Sequence, residues 1–212
     1  SMETKENNME DAHKAVGRRR PERKSLAVGF ARSQSDIVDA QRLRYRVFAG
    51  EMGASLPTRT PGVDHDIYDP YCEHLVVRDT QSGEIVGTYR ILSPDNARQI
   101  GYYSENEFDM TRLQHLRSRM VEIGRSCVHP DYRTGATITL LWSGLAQYMV
   151  ERGHDYLIGC ASIGMADGGH AAAVAGVEQP QAVPALLVAD DALGFHQGRA
   201  LAARVHGHQA RT

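Results

Sequence analysis

The chain has 212 residues, with 24 basic against 26 acidic side chains, 42% hydrophobic and 24% charged. Those fractions exclude a disordered tail protein, a collagen-like repeat and a disulfide scaffold, and leave one domain plus appendages around a single sizeable core. A formal charge of -2 gives no general drive toward nucleic acid, and no apolar run approaches the ~18 residues that span a bilayer, so a cytoplasmic protein is expected.

Ser1-Met2 reads as a processing scar before the initiator, and residues 1–25 read as a solvated, disordered arm ending in the basic run Arg18 to Lys24. A second reading of that run is a patch for an acidic partner or for the anionic inner-membrane surface. Leu26 to Ala31 is a predicted strand. Ser35 or Asp36 can cap a helix running through Met52, with Ile37, Ala40, Leu43, Val47 and Phe48 at helical spacing. A loop rich in Pro, Gly and Thr follows from Gly53 to Tyr71. Two strands, His74 to Asp79 and Glu84 to Leu92, flank the hairpin turn Thr80-Gln81-Ser82-Gly83. Asp109 to Arg119 is a predicted helix, Met120 to Val128 a strand, Thr137 to Arg152 an amphipathic helix closed by Gly153, and Tyr156 to Ser162 a central strand. Val183 to Val188 and Leu201 to Val205 can each form a strand. This alternation predicts an α/β (α+β) fold, a mixed central sheet flanked by helices, and not an all-parallel doubly wound sheet.

Cys72, Cys127 and Cys160 form no CxxC pair, which favours reduced, packed thiols over zinc or redox work. Cys127 near His129 offers a weaker, nucleophilic reading. Three places carry denser chemistry. Arg44 and Phe48 lie on the first helix, and Asp64, Asp66 and Asp69 fall within six residues of the following loop. Such carboxylates repel unless a cation meets them. That cation is an arginine such as Arg44, a cationic substrate or, least in keeping with the spacing, calcium. Arg90 interrupts an apolar strand and must be paired to be tolerated there. Glu122 and Arg125 lie on what should be a central strand, with Gly124 between them permitting a bulge. A buried Glu implies either a salt bridge, here to Arg125 or Arg90, or a proton-transfer role. Arg133-Thr134-Gly135-Ala136 then feeds a helix N-terminus whose amides suit a phosphate.

Together these pieces resemble the GNAT-like acyltransferase superfamily, in which a strand, a Val-x-Pro-x-x-Arg turn and a helix hold the acyl donor. Val128-His129-Pro130-Asp131-Tyr132-Arg133 matches that strand end, and the turn after it is shorter than Arg-x-x-Gly-x-Gly/Ala. The sequence is also similar to the acyl-homoserine-lactone synthases, whose set of Arg and Phe, then Glu-x-Asp-x-x-Asp, a strand Arg and Glu-x-x-Arg is met by Arg44, Phe48, Asp64, Asp66, Asp69, Arg90, Glu122 and Arg125, with Asp64 in place of Glu. It resembles more fully the ornithine N-acyltransferases, sometimes labelled hemolysin-like. Arg-Tyr-Arg-Val-Phe, Asp-x-Tyr-Asp, Glu-His-Leu-Val-Val, Gly-Thr-Tyr-Arg, Glu-Ile-Gly-Arg-Ser-Cys-Val and Met-Ala-Asp-Gly-Gly-His occur in order. The resemblance covers residues 26–170 and ends at His170. The Ala-, Val- and Gly-rich segment 171–212 is an atypical C-terminal segment, compatible with a divergent tail, a truncated form or an altered reading frame.

The resemblance implies transfer of a 3-hydroxyacyl chain from acyl carrier protein, or from acyl-CoA, to the α-amine of ornithine, with no tightly bound cofactor and no metal. It implies Glu122 and Arg125 as catalytic residues. Arg44, Phe48, Asp64, Asp66, Asp69 and Arg90 would bind substrate, the aspartates taking the second ammonium. Val128, Arg133, Gly135 and Ala136 would bind the acyl donor. The alternatives are homoserine-lactone synthesis from S-adenosylmethionine, disfavoured because Ala49 to Gly53 lacks the aromatic residue usual there, or an inactive relative.

Overall fold

The computed structural model describes residues 25–56, 58–163 and 183–190, the last eight and 161–163 by backbone alone. The basic run Arg18 to Lys24, the motif ending at His170 and the Leu201 to Val205 segment lie outside the described residues.

Among the described residues six strands form one sheet in chain order: β1 (Leu26–Phe30), β2 (Glu73–Asp79), β3 (Ile85–Leu92), β4 (Met120–Val128), β5 (Tyr156–Ile163) and β6 (Val183–Asp190). Every neighbouring pair is antiparallel except β4 and β5. That parallel pair needs a crossover, and α3 (Ala136–Arg152) supplies it. Gly153 ends α3 in the left-handed conformation, φ 67°, where its amide caps the carbonyls of Met149 and Val150. The sheet is mixed and flanked by helices, as expected.

Side-chain alternation along the strands divides the core. On one face, Leu75, Val77, Tyr89, Ile91 and Val121 pack against Leu141, Leu145, Tyr148 and Met149 of α3. Gly87 is required there, because a Cβ would come within 2.6 Å of the Thr137 methyl group. On the other face lie two separate clusters. Val76, Ile85 and Cys127 meet Ala40, Leu43 and Val47 from α1 (Gln34–Tyr45) and the turn after it. Leu92, Met120 and Ile158 meet Ala97 of α2 (Pro94–Ile100) together with Tyr102, Phe108 and Met110. Arg90 and Glu122, between these clusters along β3 and β4, occupy the polar gap.

Several boundaries differ from expectation. The first helix is capped by Ser33, whose hydroxyl accepts from the Asp36 amide, and not by Ser35 or Asp36. Its α-helical part ends at Tyr45 and continues as a π-helix over Arg46–Glu51. This widened turn carries Phe48. The segment expected to be helical from Asp109 is a 3₁₀ helix over Thr111–Arg119; its side chains, largely exposed, give it no buried stripe to support an α-helix. The short helix α2 has a Ser93 cap and Pro at its first turn, but too few turns to create a periodicity readable in sequence. Val183 to Val188 does lie in a strand, β6.

Candidate active site

The first helix delivers Arg44, wholly buried, into the loop that follows it. Its Nε donates to Asp64 Oδ2 at 2.8 Å, and its terminal nitrogens donate to Asp69 Oδ1 at 2.7 Å, Asp69 Oδ2 at 3.0 Å and the Asp64 carbonyl at 2.9 Å. The Asp64 amide reaches back to the Gln41 carbonyl at 3.1 Å, so the loop is pinned to α1 by backbone as well as by charge. Two guanidinium groups complete the balance. Arg90 donates to Asp66 Oδ1 at 2.7 Å and Asp69 Oδ2 at 3.4 Å. Arg125 lies 3.5 Å from Asp64 Oδ2 and 3.6 Å from Asp66 Oδ2. Three arginines thus face three aspartates. The arginines hold the Asp69 carboxyl far below its ordinary value of 3.8, although burial alone would raise it.

Arg125 differs from the other two. Its side chain is 24% exposed, against 0% for Arg44 and 6% for Arg90. Thr88 pairs with Cys127 but Arg90 pairs with Gly124, so Tyr89 alone opposes both Arg125 and Ser126. The bulge expected at Gly124 therefore falls one residue later, and Arg125 adopts a left-handed φ of 50°. This turns its guanidinium toward Asp64 and Asp66 and places it 5.8 Å from the centre of the Phe48 ring. The bridge to Arg125 or Arg90, one of the two readings of Glu122, is not among its hydrogen bonds, which come from a different anchor. Glu122, 5% exposed, accepts from the Tyr103 amide at Oε1 (2.8 Å) and from the Ser104 amide at Oε2 (2.8 Å). The Ser104 hydroxyl also donates to Oε2, and the Cys160 thiol donates in turn to that hydroxyl at 3.2 Å. Burial raises the Glu122 pKa above its ordinary 4.5, and these donors pull against that rise. Oε2 holds two donors and Oε1 one, so Oε1 retains the open lone pair.

Tyr103 and Ser104 carry no sequence signal of their own. They precede β4 by more than fifteen residues, and only the tertiary fold brings their amides onto Glu122. The one available hint is the density of polar and aromatic groups in Tyr102-Tyr103-Ser104-Glu105-Asn106-Glu107. His74 also escaped the sequence reading. It is buried, its Nε2 lies 3.3 Å from the Asp69 carbonyl, its Nδ1 has no partner among the described residues, and burial pushes its pKa down.

The expected acyl-donor residues converge at the far end of β4. β4 pairs with β5 only from Met120 to Ile123; Gly124 to Val128 continue with β3 alone among the paired strands. Among the described residues their other backbone edge has no paired strand, and the chain after β4 leads to the α3 N-terminus, where Gly135, φ 92°, precedes Ala136. Arg133 donates through Nε to the Val128 carbonyl at 3.1 Å and clamps Glu51 with both terminal nitrogens, one of them at 2.8 Å. It therefore ties this turn to the π-helix. Burial pushes the Cys127 thiol up to about 12, which argues against the nucleophilic reading.

The Acetyltransferase (GNAT) domain model matches residues 43–143. The sequence is 38% identical over 170 residues to an L-ornithine N(alpha)-acyltransferase of Rhodobacter capsulatus, covering 74% of this chain and 62% of that one. It is 43% identical over 148 residues to the protein of the same name in Agrobacterium fabrum, covering 65% and 50%. The chain thus spans between 50% and 62% of the length of these curated relatives. The fold is similar to that of a solved CoA-dependent acyl-homoserine lactone synthase, with TM-score 0.52 and 18% identity over 74% of this chain and 77% of the other. Residues 43–143 are therefore similar to the acetyltransferase (GNAT) domain, and L-ornithine N(alpha)-acyltransferases are among the sequence relatives of the chain.

Proposed function

We propose that the protein transfers a 3-hydroxyacyl chain from acyl carrier protein to the α-amine of ornithine, a step that makes lyso-ornithine lipid. The names and identity of the sequence relatives support the acceptor. The observation that carries the chemistry is Glu122, a buried carboxylate with a raised pKa and one open lone pair, two residues before the stretch of β4 that has no β5 partner.

An amine attacks a thioester only as the free base. The amine nitrogen bonds to the carbonyl carbon, its proton passes to Glu122 Oε1 directly or through water, and the C–S bond breaks to release the carrier thiolate, which takes up that proton and leaves as the thiol. Open amides along Gly124 to Cys127 polarise the carbonyl oxygen as charge develops. Arg125, the most exposed of the three arginines and walled by Phe48, takes the acceptor carboxylate. Arg44, Arg90, Asp64, Asp66 and Asp69 hold the wall from which Arg125 projects. Val128, Arg133, Gly135 and Ala136 shape the donor end.

The test is to incubate the protein with 3-hydroxyacyl carrier protein or acyl-CoA and a panel of amino acids, and to identify products by mass spectrometry. N-acylornithine from the carrier donor is expected, with turnover falling as salt screens carrier contacts over ~8–10 Å. Equal or better turnover with acyl-CoA would remove the carrier assignment. An acyl-homoserine lactone from S-adenosylmethionine would replace the reading altogether.

A further inference from the structure

An acceptor with two amines needs an anion for the one that does not react. The aspartates of the loop are poor candidates, because Arg44, Arg90 and Arg125 already lie within 3.6 Å of all three. A different carboxylate has no such partner. Glu107 is half-buried, and among the described residues its hydrogen bond comes from the neutral Tyr103 hydroxyl, at 3.3 Å, with no arginine, lysine or histidine in ion-pair range. The same Tyr103 donates its backbone amide to Glu122. Its ring packs edge-on against Tyr68 at 5.6 Å between centroids, and the Arg90 guanidinium lies 5.7 Å from the Tyr68 ring centre. Tyr103 thus joins three things: the proton-accepting carboxylate, the arginine wall and an unbalanced negative charge. Two further influences agree with this placement. The Tyr103 hydroxyl feels both Glu107 and Arg125, and the Cys160 thiol feels both Glu122 and Glu107.

We propose that Glu107, presented by the Tyr103 hydroxyl, is the subsite for the side-chain ammonium of a dibasic amino acid. This rests on the acceptor reading above and deepens it. The ammonium replaces the weak Tyr103 hydrogen bond with a charge-assisted one to Glu107. Glu107 then fixes one end of the acceptor and Arg125 the carboxylate end, which leaves the α-amine at Glu122. Glu107 thereby sets specificity, while Glu122 handles the proton.

The experiment compares L-ornithine with L-norvaline, which has the same carbon chain and lacks the second amine. Acylation of each is measured for the full chain, for Glu107→Gln and for Asp66→Asn, with whichever donor supports turnover. The parent is expected to prefer ornithine. Glu107→Gln should lose roughly 10- to 100-fold in kcat/KM for ornithine, the usual loss for a hydrogen bond to a charged group, mostly through KM. Its kcat/KM for norvaline should stay within about 3-fold of the parent, the context spread of such effects. A Glu107→Gln variant that keeps the parental preference overturns the proposal and leaves ornithine acylation standing, as does a preference that collapses only in Asp66→Asn. A parent that acylates ornithine no better than norvaline overturns both.

Discussion

Glu122 shows how one side chain can be held by its neighbours and still be available for chemistry. Three donors point at its two oxygens, two of them backbone amides that cannot rotate away. Glu122→Gln keeps the size but must turn an NH₂ group toward one of these amides. The variant is therefore expected to lose ~1–3 kcal/mol of stability, the cost of a buried donor left unsatisfied. If Glu122 accepts the proton, turnover should also fall roughly 10²–10⁴-fold, the range for a general base. Denaturant unfolding and kcat measured on the same samples separate the two effects. A variant that unfolds like the parent and turns over at its rate would remove Glu122 from both roles.

At the scale of the element, the β4 bulge decides where Arg125 goes. A regular strand would place Arg125 on the face opposite Glu122 and Gly124, toward α3 and away from the aspartates. The extra residue opposite Tyr89 turns it back, at the cost of a left-handed backbone in a residue with a Cβ. Both Arg125→Gly and Arg125→Ala remove the guanidinium, but glycine adopts φ 50° without the Cβ clash. The glycine variant is expected to be the more stable by about 0.5–1 kcal/mol after its larger chain entropy is counted, and both should lose acceptor binding. Thermal unfolding of the two side by side checks this. An alanine variant that melts higher would mean that the strand relaxes once the arginine is gone.

Across the whole molecule, the arginine–aspartate network is what joins α1, its loop, β3 and β4, and it gives the fold a pH dependence with a definite sign. Asp69 has a folded-state pKa held below 3.8, so its stabilisation is complete above the unfolded value and is lost as pH falls through the folded one. Glu122 has the opposite sign: its raised pKa stabilises the fold below 4.5, and that contribution fades as pH rises through the folded value. Below about pH 4 the Glu122 contribution is already present while that of Asp69 is being lost, so Tm should fall on acidification there. Asp69→Asn should flatten that acid limb while losing ~3–5 kcal/mol near neutrality, because Arg44 is left buried with half its partners gone. Melting curves from pH 3 to 8 for parent and variant test both statements; an unchanged acid limb in Asp69→Asn would assign the dependence to other carboxylates. No helix among the described residues is long and apolar enough to cross a membrane.

Local chemistry was enough to read the strands, the hairpin and α3, because alternation, a Gly-closed turn and a long apolar stripe each reflect contacts within a few residues. It was enough, too, to single out Arg90 and Glu122, since a charge within an apolar run needs a partner wherever the chain goes, and the three aspartates with Arg44, since clustered carboxylates repel unless a cation meets them. Which partner is a question of tertiary structure. Glu122 takes amides from Tyr103 and Ser104 in place of a guanidinium, and Arg125 reaches the aspartates only through a bulge whose position depends on how β3 and β4 register. Short elements such as α2 and the π-helical turn were equally hidden, for they last less than the repeats needed to show a period. Sequence spacing constrains what a side chain requires locally, whereas its partner depends on distance in three dimensions, and that exists only once the sheet has closed around the site.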